Sequence, residues 1–207
     1  MRKRGILIVV SGFSGSGKGT LMKELLSNYS ETYALSVSAT TRKPRAGEQE
    51  GREYFFKTKD EFEKMIAKEE LIEYAKYVEN YYGTPRAYVE KMLDAGKDVI
   101  LEIEIQGALK VKEKFPDTLL LFVTPPSIEE LKRRLIGRGT ESMEIIESRM
   151  KRAAQEAEKM ECYDYLIIND NLRACAEKMH SIIQGEHLRS DRNMEFIQEI
   201  KAELNEI

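Results

Sequence analysis

The sequence has no tryptophan, and only two cysteines, two histidines and five prolines among its 207 residues. Cys162 and Cys175 stand too far apart for a CxxC pair, which argues against a disulfide scaffold and for a reduced, cytoplasmic setting. His180 and His187 have no cysteine-rich neighbourhood, so both are expected as solvated helix or loop positions rather than metal ligands. No stretch approaches the roughly 18 apolar residues of a membrane span. The opening "MRKRGILIVV" imitates a signal peptide, but its apolar run is short and leads into a glycine loop instead of a cleavage site. The triplet Asn28-Tyr29-Ser30 is then a chance match to a glycosylation site. Nor is there an excess of one charge. With 33 basic and 36 acidic residues the net charge is −3, which argues against nucleic acid or a membrane surface as partner. Without repeats or low-complexity linkers, the length suits one domain with inserted pieces.

What is present alternates. Ile6 to Val10 is an unbroken aliphatic run, the mark of a strand buried on both faces. Similar runs recur at Val99–Ile103, Leu119–Val123 and Leu166–Ile168. Between them, helical spacing predicts helices over about 106–114, 127–136, 144–160 and 172–184. Strand alternating with helix implies an α/β fold with a parallel sheet covered on both faces. Residues 38–88, rich in Arg, Glu and Tyr, break the rhythm and suit an inserted subdomain. "GRGTES" (137–142) reads as the tip of a mobile cover. From Asp191 the tail is amphipathic, with Phe196, Ile197, Ile200, Leu204 and Ile207 on one side. Docking onto its own domain and contact with a second copy both fit.

"SGFSGSGKGT" (11–20) follows the first strand and opens a helix. Gly12, Gly17 and Lys18 fit the phosphate-cradling pattern G-x-x-x-x-G-K-[ST], but its last position holds Gly19, with Thr20 one step late. Glycines let backbone N–H groups converge on phosphate oxygens at the positive end of the helix. Lys18 would reach the β- and γ-phosphates. The dinucleotide pattern G-x-G-x-x-G fails, because from Gly15 and Gly17 its third glycine falls at Thr20. Phosphoryl transfer is therefore favoured over hydride transfer.

A second constellation is "SVSATTRKPRAGEQEGREYFF" (36–56). Arg42 and Arg45 flank Pro44 in a stretch unsuited to helix. Arginine's planar fork matches a phosphate dianion, although such pairs are commonly plain surface charge. With "NYYGTP", "LEIEIQG", "PPSIEELKRRLIGRGTE" and "IIND" in this order, the chain resembles the guanylate kinases from Gly5 to Gln184.

That resemblance implies a three-layer parallel-sheet fold of phosphate-loop kinase type (core 1–37, 89–126 and 160–190). It adds a GMP-binding insertion (38–88) and a lid (127–159), with a C-terminal amphipathic helix at 191–207. It implies transfer of the γ-phosphoryl group of ATP to GMP with Mg2+. The ATP side would comprise Gly12, Phe13, Ser14, Gly15, Ser16, Gly17, Lys18, Gly19, Thr20 and Asn169. Arg42, Arg45, Tyr54 and Tyr82 would hold the GMP phosphate, with Ser38, Glu73, Thr84 and Glu104 around the guanine. Lys18, Arg42 and the arginines Arg134, Arg138 and Arg149 would serve catalysis, while Arg133 and Arg152 read as surface. The chemistry agrees: guanine presents donors at N1 and N2 that carboxylates can accept, and an O6 acceptor for a hydroxyl.

Three departures stand out. Phe13 replaces the family's usual proline, which would loosen the loop's entry. Glu104 replaces an expected aspartate and adds a methylene. Gly19 offers no hydroxyl, so Mg2+ would be held mainly by phosphates and water, with Glu102 holding one of those waters. The rivals are a catalytically silent guanylate-kinase-like interaction module and a kinase for another nucleoside monophosphate.

Overall fold

A computed structural model describes residues 4–77, 79–137, 139 and 142–206. Arg138 and Ile207, both named above, lie outside the described residues.

The chain runs β1 (Leu7–Gly12), α1 (Lys18–Asn28), β2 (Tyr33–Leu35), β3 (Ser38–Thr40), β4 (Tyr54–Phe56), α2 (Lys59–Ala67), β5 (Leu71–Tyr77) and β6 (Asn80–Pro85). It continues with α3 (Arg86–Asp94), β7 (Asp98–Glu102), α4 (Ile105–Lys114), β8 (Leu119–Thr124), α5 (Ile128–Gly137), α6 (Met143–Ala157), β9 (Tyr165–Ile168), α7 (Leu172–Glu186) and α8 (Met194–Asn205).

Five strands form a parallel sheet in the order β2-β7-β1-β8-β9. Its aliphatic runs divide between two cores, because successive strand residues point to opposite faces. Val9, Val99, Leu101, Leu120 and Phe122 face a layer that includes α3 and α4. Ile8, Val10, Ile100, Leu121 and Val123 face α1 and α7 through Leu21, Leu25, Cys175 and Met179. This is the three-layer arrangement expected. β2 was hidden in the sequence because three residues, Tyr-Ala-Leu, carry no readable period.

Residues 38–85 contribute a second, four-stranded sheet in the order β4-β3-β6-β5. A small core of Ala39, Phe62 and Leu71 supports it. Phe62 is delivered by α2, whose start is closed by reciprocal bonds between Thr58 and Glu61. The register of β5 against β6 shifts between Leu71 and Tyr74, and Leu71, Ile72 and Glu73 are all buried. Such an irregularity re-aims side chains, and here it turns a carboxylate inward.

The histidines correct the expectation of solvated rings. His180 stacks on Tyr29 with ring centroids 3.8 Å apart, and its Nδ1 lies 2.7 Å from the Tyr33 hydroxyl. His187 Nε2 lies 2.9 Å from Oδ1 of buried Asp98, which also accepts the Ile6 N–H at 2.8 Å. Both rings fasten α7 to the sheet. On α8 no described residue is fully buried, and Phe196, Ile200 and Leu204 are exposed.

Candidate active site

The phosphate loop spans the turn from β1 to α1, at the carboxyl edge of the parallel sheet where ligand crevices form. Gly17 caps α1 at φ 90°, a conformation that costs glycine little. A Cβ there would sit 2.5 Å from Asn169 Nδ2. That amide donates to the Ser16 carbonyl at 2.9 Å. Arg134 Nη1 donates to the same carbonyl at 3.1 Å, and its Nη2 donates to the Asn169 carbonyl at 2.7 Å. Asn169, just past β9, and Arg134, on α5, thus hold the back of the loop. Lys18 Nζ donates to the Gly12 carbonyl at 2.5 Å and the Phe13 carbonyl at 3.2 Å, so its ammonium is curled against the loop. Arg149, on α6, donates to the Ser14 hydroxyl.

Phe13 does not leave the loop loosely anchored. Its ring is buried and meets Phe122 edge-on, with centroids 5.0 Å apart. Packing supplies the restraint that a proline ring would have built in. Gly19 and Thr20 are exposed, and a Cβ on Gly19 would meet nothing within 4 Å. Thr20, Lys18 and Glu102 line one open cavity beside the loop.

The second sheet carries the remaining residues. Arg42, Tyr54 and Tyr82 cluster: the Arg42 guanidinium lies 5.3 Å from the Tyr54 ring centre, and the two tyrosine rings are 6.1 Å apart. Arg45 is exposed. Ser38 opens β3 opposite Tyr54 and is half-buried. Glu73 is buried and accepts a hydrogen bond of 2.7 Å from the Thr84 hydroxyl. Burial pushes its carboxyl above the ordinary glutamate range; the Thr84 hydroxyl opposes this more weakly.

Glu104 stands differently. β7 stops at Glu102, so the alternation read through Glu104 is cut short, and Glu104 becomes the residue before α4. Its side chain is 72% exposed and ion-paired with Arg152 of α6. Arg152, read from the sequence as plain surface charge, therefore ties the α6 helix to the end of β7. Glu130 also escaped the sequence reading. It accepts from Arg133 and, at 2.7 Å, from Arg134 Nε, and these arginines, Arg133 first, draw its carboxyl down to about 2. The i, i+3 and i, i+4 spacing on α5 was the available signal.

A cavity of about 520 Å3 is lined by Gly12 and Lys18 from the loop, Tyr77 from β5, Glu102 from β7, Glu104 before α4, and Arg149 and Arg152 from α6; Arg42, Tyr54, Tyr82 and Glu73 lie outside its lining. The phosphate loop, the end of β7, α6 and, through Tyr77, the second sheet thus meet at one space, lined by Lys18, Arg149 and Arg152 and by the carboxylates of Glu102, Glu104 and Glu156. A phosphate loop at a parallel sheet's edge, facing a second sheet with its own arginine–tyrosine cluster, defines a phosphate-loop kinase acting on nucleotides.

The sequence model of the guanylate kinase family matches residues 4–186. A guanylate kinase of Lactococcus lactis subsp. lactis is 53% identical over 195 residues, 94% of this chain and 95% of that protein. One of Bacillus subtilis is 53% identical over 192 residues, 93% of this chain and 94% of that protein. The crystal structure of guanylate kinase from Anaplasma phagocytophilum superposes with a TM-score of 0.69 at 35% identity, covering 91% of this chain and 89% of that one. The chain belongs to the guanylate kinase family.

Proposed function

We propose that the protein transfers the γ-phosphoryl group of ATP to GMP, giving ADP and GDP. The observation that carries this reading is the phosphate loop at the edge of the parallel sheet, whose Lys18 shares a cavity with Glu102, Glu104 and Arg149. The GMP phosphate is the nucleophile. It is already largely anionic near neutrality, since such monoesters have a second pKa of about 6, so no general base is needed. A P–O bond forms between that oxygen and the γ-phosphorus as the bond to the β-phosphate oxygen breaks. The protein's task is positioning and charge neutralisation.

In this reading residues 12–20 cradle the ATP phosphates and Lys18 uncurls to reach them, while Asn169 borders the adenine. Arg42, Arg45, Tyr54 and Tyr82 take the GMP phosphate. Glu73 accepts the guanine N1 and N2 donors. Thr84 has one hydroxyl proton and commits it to Glu73, which leaves Ser38 to serve O6. Glu104, paired with Arg152, reaches the guanine only if that pair opens. The insertion over 38–88 and a lid over 127–159 bring these groups together, with Arg138 and Arg149 closing on the transferring group; Arg134 joins them only if it releases the Ser16 and Asn169 carbonyls. Mg2+ would arrive with the ATP phosphates and offset their charge. Glu102, which lines the loop's cavity, would hold one of its waters.

A silent interaction module on this fold is not favoured, since Lys18 and the Arg42 cluster are retained. The substrates are small molecules of the cytoplasm. The exposed apolar residues of α8 support self-association as the tail's use. A coupled assay of ADP formation, comparing GMP, AMP, CMP and UMP, tests the function. GMP should be used far more efficiently than the others, and equal efficiency with AMP would overturn the assignment.

A further inference from the structure

We infer that Glu48 is a positioning residue for GMP, acting through Arg42. The argument starts in the backbone. Arg45 to Glu48 forms a tight turn closed by the Glu48 N–H donating to the Arg45 carbonyl at 3.1 Å. Its third residue, Gly47, has φ 87°, and a Cβ there would meet nothing within 4 Å. Glycine is therefore required by the turn's left-handed backbone and not by crowding.

The turn folds the Glu48 side chain back over its own start. Glu48 Oε2 accepts the Arg45 backbone N–H at 2.8 Å. Both carboxylate oxygens accept from Arg42 Nη2, at 2.8 and 2.9 Å. Arg42 Nη1 donates to the Lys43 carbonyl at 2.8 Å, and the Tyr54 ring lies beneath the guanidinium. The fork is thus held by its two terminal nitrogens and one face. The pair is largely sheltered, with side chains 15% and 17% exposed, unlike the many open surface pairs of this chain. Arg42 first, and then the Arg45 N–H, hold the Glu48 carboxyl below the usual glutamate range, so it stays ionised at neutral pH.

Two consequences follow. An arginine orientated before its ligand arrives loses less side-chain entropy on binding a phosphate. And a carboxylate between Arg42 and Arg45 offsets their mutual repulsion while the site is empty of anion. The inference rests on the placement of Arg42 at the GMP phosphate, so its test must separate the two.

Calorimetry with GMP and with guanosine, which lacks the phosphate, does so for E48A, E48Q, R42A and the double variant. E48A should weaken GMP by about tenfold, the scale of one charge-assisted hydrogen bond. E48Q, which keeps the shape without the charge, should fall between it and wild type. Guanosine affinity and KM for ATP should stay within about twofold of wild type, since neither ligand uses this pair. In the R42A background E48A should add nothing, because its route is gone. Equal losses for GMP and guanosine, tighter GMP binding in E48A, or additive losses in the double variant would each overturn the inference. If R42A alone left GMP binding unchanged, the placement of Arg42 itself would fail.

Discussion

Buried between β5 and the start of α4, Glu73 shows what a single residue can be made to do. A Cβ on Gly107 would lie 3.5 Å from its Oε2, an ordinary contact, so the first turn of α4 passes directly beside the carboxylate. Burial disfavours the charged carboxyl and raises its pKa. In the free protein this costs stability as pH rises from the ordinary glutamate range through the raised value, since the folded form then gives up its proton last. Guanine donors favour the charged form and pull the pKa back down. GMP affinity should therefore begin to fall, on acidification, at a pH above the ordinary glutamate range, with proton release on binding just below the raised value. Glu73→Gln should weaken GMP strongly and abolish that pH dependence while ATP binding holds. Titrations across pH in wild type and variant check this; an unchanged profile in Glu73→Gln would place the titrating group elsewhere. Glu73 was nameable from the sequence only through resemblance, because "EELIE" reads as an ordinary exposed segment. Its burial comes from the shifted register of β5, which no local pattern announces.

At the scale of elements, the phosphate loop was the most legible part of the chain. A strand of aliphatics, closely spaced glycines and a lysine suffice, because backbone N–H groups do the binding and side chains matter little. Gly19 is the case in point. It is exposed with open space around its Cα, so Gly19→Ser should fold normally and leave turnover similar. Lys18→Ala should nearly abolish turnover, because no other loop side chain carries that charge to the phosphates. Steady-state rates for the two variants decide the matter; a large gain in Gly19→Ser would show that a loop hydroxyl was wanted on the metal. The end of α7 was misread for a related reason. A histidine in or just after a helix carries no sign of its partners, which come from the end of α1, β2 and the first residue of β7. Asp98→Ala removes the acceptor for the buried Ile6 N–H and the partner of His187. It should cost on the order of 1–3 kcal/mol. Thermal unfolding should show a lower midpoint, with KM for GMP unmoved at low temperature.

For the whole molecule, the proposed contacts lie on separate bodies: the loop on the parallel sheet, the Arg42 cluster on the small sheet, Arg149 on α6. Phosphoryl transfer requires them around one excluded volume. A non-transferring mimic joining both substrates should therefore reduce the radius of gyration in small-angle scattering. An identical radius with and without the mimic would count against closure.

The sequence by itself determined the α/β class, the succession of the main strands along the chain and the nucleotide chemistry of the loop. These depend on hydrophobic period, chain order and backbone-permissive glycines, all of which are local. Tertiary structure alone decided the side-chain partnerships. It turned Glu73 inward, left Glu104 outside on Arg152, bent Glu48 back onto Arg42 and brought His180 and His187 onto partners in the sheet. Each of these depends on which segments distant in sequence, or turned by a glycine, arrive within hydrogen-bond reach. A charge on a sequence carries no record of that, because the same Glu or Arg is stable in water and becomes informative only where packing removes the water.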